Sequence, residues 1–246
     1  MPAALITGGA RRIGAAIARA LVRNGYAVAL HANRSRPDAE ALARNIVDGG
    51  GRAAVVQGDL ADARAVERLV PAAAALAPLT LLVNSAAEFE PDEIGTIDRA
   101  AFERTLAVNL AAPLFLAQAF AAQAPAGAAI VNVVDQRVFK PTPRFFSYTL
   151  SKAALHTATT TLAQALAPRI RVNAVAPGPT LPSPRQSEAQ FAAQAATLPL
   201  ERGPSPEDIA EAVVYLAHAQ AVTGVTVPVD GGQHLAWRTA DSDVAE

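Results

Sequence analysis

Short apolar runs of β type alternate with helical stretches along the chain as far as residue 175, and this rhythm limits the possible folds more than anything else in the sequence. It fits a parallel sheet whose strands are joined by crossover helices. Strands are expected at Ala3–Thr7, Tyr26–His31, Ala53–Gln57, Leu79–Val83, Ala128–Val134, Ile170–Val175 and Val225–Val229. Helices are expected at Arg12–Asn24, Pro37–Asp48, Asp62–Ala77, Asp98–Gln123 and Ser147–Leu166, with a short alanine-rich one at Glu188–Ala196. Ser205-Pro206-Glu207-Asp208 opens a further helix, with a serine cap, proline in the first turn and acids at the positive end of the dipole. Pro177–Pro184 holds four prolines and reads as a loop. No repeat or linker interrupts the pattern. Residues 1–246 therefore read as one doubly wound α/β domain of about seven strands with helices on both faces, and the polar tail 238–246 is expected to fray.

Charge and composition exclude several classes of function. With 21 basic against 22 acidic residues, no field favours nucleic acid or an acidic membrane. The chain has no cysteine, which removes disulfides, thiolate zinc sites and a cysteine nucleophile. His31, His156, His218 and His234 show no metal-ligand spacing, so no metal is expected. The opening MPAALITGGARR has too short an apolar run for a signal peptide or anchor, and a cytosolic protein is expected. From Thr105 to Val134 there is no charge, which is long enough to raise a membrane span. Asn109, Gln118, Gln123 and the Pro125–Gly127 break interrupt it, so a helix followed by a buried strand fits better. Lys140 and Lys152 are the only lysines beside 19 arginines, which singles both out.

Thr7-Gly8-Gly9-Ala10-Arg11-Arg12-Ile13-Gly14 lies between the first strand and the first helix. In that place glycines let the backbone approach a pyrophosphate at a helix N-terminus. A carboxylate at the end of the second strand would select NAD by accepting from the ribose hydroxyls. Asn33-Arg34-Ser35-Arg36 stands there instead, a cation and a hydroxyl suited to a 2′-phosphate, and NADP(H) is the expected cofactor. The same residues could simply cap the helix at Pro37, and both roles can hold together. Tyr148 and Lys152 are four apart at the start of an expected helix, hence on one face. A phenol with an ordinary pKa near ~10 is a poor acid–base group at neutral pH, and a nearby ammonium favours its ionised form.

On TGGARRIG at 7–14, Asp59-Leu60, Asn84-Ser85-Ala86-Ala87, Asn109, YTLSK at 148–152, Pro177-Gly178 and VDGG at 229–232, the chain resembles the short-chain dehydrogenase/reductase family over nearly its whole length. The resemblance implies a Rossmann-type fold and an NAD(P)-dependent oxidoreductase, with Tyr148 as proton donor. Lys152 would lower its pKa and hold the nicotinamide ribose, and Asn109 would support a proton relay. Gly8, Arg11, Arg12, Ile13 and Gly14 would meet the cofactor, Asp59 and Leu60 its adenine. Asn84, Ser85 and Ala86 would lie along it, and Pro177, Gly178 and Thr180 would flank the carboxamide. Leu181–Leu200 would form the substrate lid. The Leu106–Gln123 helix has no charge on any face and the Ser147–Leu166 helix carries only Lys152, which points to a homo-oligomer, and the resemblance implies a tetramer.

Three departures narrow the resemblance. Arg12 stands at the family's middle glycine, Ser85 at its usual second asparagine, and Asp135 at the serine 13 residues before the tyrosine. Together with LHANRS at 30–35 they resemble the pteridine reductase branch, in which Phe89 would press a pterin against nicotinamide and Arg12 would reach both phosphate and substrate. A lone loop phenylalanine often only packs, and Asp135 could pair with Arg137. The expected activity is NADPH-dependent reduction of a pteridine-like heterocycle, with Asp135 and Tyr148 at the reacting C=N bond. The alternatives are a ketone or 3-oxoacyl reductase, and an NADP-binding sensor without turnover.

Overall fold

Strands buried on both faces need no alternation of polar and apolar residues, and the sheet strands here are apolar almost throughout. The computed structural model describes residues 1–237. Seven parallel strands form one sheet in the order β3-β2-β1-β4-β5-β6-β7. They are β1 (Ala3–Thr7), β2 (Ala27–Ala32), β3 (Ala53–Gln57), β4 (Leu79–Asn84), β5 (Ala128–Val133), β6 (Ile170–Pro177) and β7 (Thr226–Val229). The helices are α1 (Arg12–Arg23), α2 (Arg36–Asp48), α3 (Ala63–Ala74), α4 (Arg99–Leu106), α5 (Ala112–Gln123), α6 (Phe146–Leu166), α7 (Glu188–Ala196) and α8 (Pro206–His218). This is the expected Rossmann-type architecture. The winding reverses between β1 and β4, which opens a crevice at the carboxyl ends of those strands.

Two apolar layers hold the helices on the sheet. Ala4, Ile6, Val28 and Leu30 face Ile17 and Leu21 of α1, Leu42 of α2 and Ile209 and Val213 of α8. Ala3, Leu5, Leu82 and Ile130 face Leu69 of α3, Leu116 and Phe120 of α5 and Ala163 of α6. Leu116 and Phe120 are fully buried, so the uncharged stretch that raised a membrane span is a core helix followed by β5.

The element boundaries differ from the expected ones in informative places. The helix expected over Asp98–Gln123 is interrupted by a π-helical turn at Ala107–Ala111, between α4 and α5. Pro113 has no N–H for the carbonyl of Asn109, and the wider turn accommodates that loss. It also carries the Asn109 side chain into the protein, where it is fully buried. Short 3₁₀ turns at Gln136–Val138 and Gln233–Leu235 were not anticipated, and β6 runs on to Pro177. The Ser205 start is a complete capping box with Asp208, as its sequence suggested. The tail expected to fray, 238–246, lies outside the described residues.

Candidate active site

The loop between β1 and α1 is shaped by close approaches. A Cβ on Gly14 would lie 2.1 Å from the Gly8 carbonyl oxygen, and Gly8 takes a left-handed φ of +65° with Ala86 only 3.0 Å from where its Cβ would be. Arg12 also adopts a left-handed φ, +50°, which costs a residue with a side chain roughly 1–2 kcal/mol. Its guanidinium donates to the carbonyls of Leu181 (3.2 Å) and Pro182 (3.1 Å) and so ties this loop to the segment after β6.

Gly8, Arg11, Arg12, Ile13, Gly14, Asn33, Arg34, Ser35, Asp59, Leu60, Ser85 and Ala86 line one groove of about 550 Å³ at the reversal of winding. Those expected cofactor residues are thus brought together. Arg11 pairs with Asp38 at 2.5 Å, and Arg36 with Glu40 at 2.6 Å. Arg34 is exposed and, among the described residues, makes no ion pair or side-chain hydrogen bond. Ser35 is the N-cap residue of α2, yet its side chain makes no cap bond. The side-chain capping considered for it is therefore not taken up, and the residue lines the groove.

Two residues that sequence reasoning missed shape this groove. His31 is buried at the end of β2, where its Nδ1 accepts from the Gly8 N–H (3.2 Å) and its Nε2 meets the Gly58 carbonyl (3.0 Å). Burial lowers its pKa, outweighing the Gly58 bond and the Asp59 charge, and the neutral Nε2–H tautomer satisfies both contacts. Arg104 of α4 forks onto Asp59 at 3.1 and 3.2 Å and bonds Glu88 at 3.0 Å. Against the cost of burial, Arg104 and the Ala61 amide hold the Asp59 carboxyl below its usual range. A polar residue ending an apolar strand was the available signal for His31. Nothing local marked Arg104.

Asn84 ends β4 beside Ser85 and Ala86. Its side chain is buried and donates to Asn132 Oδ1 at 2.9 Å, leaving Ser85 and Ala86 at the groove. Asn109 is likewise spent on structure. Its amide donates to the Glu88 carbonyl (2.9 Å) and Ser151 Oγ (3.0 Å) and accepts from the Glu88 N–H (2.8 Å). It pins the loop after β4 onto α6, and none of these bonds reaches Tyr148 or Lys152. Pro177 ends β6, and a Cβ on Gly178 would meet the Asp230 backbone at 2.7 Å. Thr180 donates to the Gly178 carbonyl at 3.0 Å.

Beyond β5, Asp135 and Tyr148 come into direct contact. The phenol donates to Asp135 Oδ2 at 2.9 Å, while Oδ1 accepts from the Arg137 N–H at 2.8 Å. Burial pushes the Tyr148 phenol well above its ordinary pKa, the Asp135 charge and hydrogen bond push the same way, and Arg137 opposes them. Lys152 is buried and donates to the Val133 carbonyl at 2.7 Å. Burial brings its pKa down to about 8, with Asp135 opposing. The carboxylate is in contact with the phenol and the ammonium is not, so the raising influence expected of Asp135 prevails over the lowering expected of Lys152. The group is a protonated phenol facing a carboxylate, which can pass a proton to a substrate atom and accept a hydrogen bond from another.

Phe89 stacks on Phe145 with centroids 4.3 Å apart and an interplanar angle of 4°, and meets Tyr148 edge-on at 4.6 Å. Phe145, at φ +55°, and Arg185 were not anticipated at the site. Arg185, between β6 and α7, donates to the Phe89 carbonyl at 2.8 Å and to Glu90 at 3.2 Å.

Residues 8–234 match the family model described as enoyl-(acyl carrier protein) reductase. With this fold and these motifs, the chain belongs to the short-chain dehydrogenase/reductase family of oxidoreductases. FolM alternative dihydrofolate reductase 1 from Brucella canis, solved in complex with NADP, superposes with a TM-score of 0.94 at 49% identity, covering 99% of this chain and 97% of that one. The Brucella suis counterpart, also with NADP, gives 0.93 at 50% identity, covering 97% of each chain. Pteridine reductase 1 of Leishmania tarentolae is 32% identical over 95% of this chain and 96% of its own length.

Proposed function

We propose that the chain is an NADPH-dependent reductase of a pteridine-like heterocycle, adding a hydride to a C=N carbon and a proton to its nitrogen. The observation that carries this reading is the Tyr148 hydroxyl donating to Asp135 at 2.9 Å. A serine at position 135 would donate to a carbonyl oxygen gaining negative charge, whereas a carboxylate repels that oxygen. The same carboxylate accepts from the N–H groups of a nitrogen-rich ring. The raised pKa of Tyr148 keeps the phenol protonated, as an acid must be before transfer. Phe89 offers an aromatic wall for a flat ring, and Asn109 holds the loop that bears it. The names of the Brucella and Leishmania relatives support the same substrate class.

The groove fits NADPH. Gly8 and Gly14 leave room for backbone close to a pyrophosphate at the positive end of α1, where Arg11 and Arg12 also lie. Arg34 and Ser35 would hold the 2′-phosphate, and Asp59 and Leu60 the adenine. Lys152 would hold the nicotinamide ribose, and Thr180 the carboxamide. When bound, the nicotinamide supplies the hydride. Assembly as a homotetramer in the cytosol completes the reading, supported by Phe115 on uncharged α5 and Leu150 on neighbouring α6, which are 59% and 44% exposed.

The test pairs NADPH oxidation by a dihydropteridine with that by a 3-oxoacyl thioester, in wild type and Asp135→Ser. Wild type should prefer the dihydropteridine. The variant should lose at least tenfold on it, about 1.4 kcal/mol in barrier, while keeping or improving ketone reduction. A wild type that prefers the thioester favours the carbonyl reductase reading. No turnover of either, with tight NADPH binding, favours a sensor.

A further inference from the structure

Upstream of Leu198, and among the described residues, the lid Leu181–Leu200 is hydrogen-bonded to the rest of the protein through two arginines. Arg12 reaches it from the cofactor loop, and Arg185 reaches out of it to Phe89 and Glu90. Apolar anchoring comes at the far end of the lid, where Leu198 is buried, since α7 contributes no buried side chain. The Arg185 guanidinium carbon is 5.6 Å from the Phe89 centroid and 5.7 Å from that of Phe145. Those rings are parallel and 4.3 Å apart, so a point equidistant from both lies beside the pair and not over an outer face. Arg137 is 5.3 Å from each, beside the same pair. Ring edges are electropositive, so a cation gains no π attraction there. The hydrogen bonds to the Phe89 carbonyl and Glu90 hold Arg185 in place, and its bulk, like that of Arg137, fences the rim of the stack.

We propose that Arg185 is a positioning residue that makes the seating of Phe89 depend on the lid being closed. Through the Phe89 carbonyl it fixes the backbone that carries the ring, and through its bulk it keeps the ring from sliding on Phe145. The lid and the aromatic wall then act as one body. This rests on the reading of Phe89 as the wall for a flat substrate. Arg185 does not line the cofactor groove, and its direct contacts lie on the substrate side.

The experiment uses the full chain with Arg185→Ala and Arg185→Lys. Four quantities are measured: chymotryptic cleavage after Phe191 in the lid of the cofactor-free protein, a site neither variant alters, KM for a dihydropteridine, NADPH affinity by fluorescence, and the thermal midpoint. In the alanine variant, lid cleavage should quicken several-fold and KM should rise about tenfold. NADPH affinity and the midpoint should hold. Lysine, which keeps the charge and can still reach the Phe89 carbonyl, should recover part of both losses. If either cleavage or KM stays within twofold of wild type in the alanine variant, the coupling is refuted. A fall in NADPH affinity or midpoint together with KM also overturns it, because the residue is then merely structural. A wild type that turns over no dihydropteridine defeats the substrate reading separately. Lid cleavage alone then decides whether Arg185 holds the lid, and unchanged cleavage refutes that.

Discussion

Replacing Lys152 with methionine should stabilise the cofactor-free protein at neutral pH. The side chain is 2% exposed, and burial brings its pKa from 10.5 down to about 8. At 1.36 kcal/mol per pH unit, that fall corresponds to about 3 kcal/mol spent on keeping the ammonium charged inside the fold. Methionine fills a similar volume without charge but loses the bond to the Val133 carbonyl, worth roughly 1.5 kcal/mol for a charged donor. The net gain is about 2 kcal/mol, which for a domain of this size raises the midpoint by roughly 4–8 °C. Below pH 8 native and unfolded chains both hold the proton, so the wild type bears the full penalty. Between pH 8 and 10.5 the native lysine releases a proton that the unfolded chain still binds, so wild-type stability rises with pH and the gap closes. Thermal unfolding of both proteins by circular dichroism at pH 7 and pH 10 measures this directly. A methionine variant that melts below wild type at pH 7, or by the same margin above it at both pH values, would refute the reasoning. The buried ammonium would then not be a cost to the fold.

Three further outcomes follow from the site and the surface. Arg34→Ala should weaken NADPH binding by about 10- to 100-fold, the roughly 1.5–3 kcal/mol of a charge-assisted contact, while leaving NADH affinity alone; parallel fluorescence titrations check it. Arg12→Gly should melt higher than Arg12→Ala by about 1 kcal/mol, because both lose the guanidinium and only alanine retains the strain at φ +50°. Phe115→Glu places a charge on an apolar residue that is 59% exposed; light scattering is expected to give the proposed tetramer for the wild type and smaller species for the variant.

Much of this protein was legible from local patterns. Runs of apolar residues buried on both faces mark β1, β2, β4, β5 and β6, and the spaced apolar positions of α1 and α8 mark helices with one buried side. The glycine loop declares its place because Gly14 must clear a carbonyl within the same short segment. Tyr148 and Lys152 share a helix face by spacing alone. The π turn was not legible, since Pro113 is equally at home in the first turn of a new helix.

By itself, then, the sequence determined the order of elements, the strand–glycine–helix cradle and the shared helix face of Tyr148 and Lys152, because each is written within a few neighbouring residues. The register of Asp135 with Tyr148 suggested a carboxylate that keeps the phenol protonated, and tertiary structure made it a direct contact. Asp135 lies 13 residues from Tyr148, and only the path of the β5–α6 connection brings carboxylate and hydroxyl to 2.9 Å. It also decided that Asn84 and Asn109 spend their amides on the scaffold. His31 on Gly8, Arg104 on Asp59 and Arg185 on Phe89 join residues 23, 45 and 96 apart. No period or motif encodes such separations. They are set by how loops cross the end of a packed sheet, where a side chain's partner depends on the whole fold.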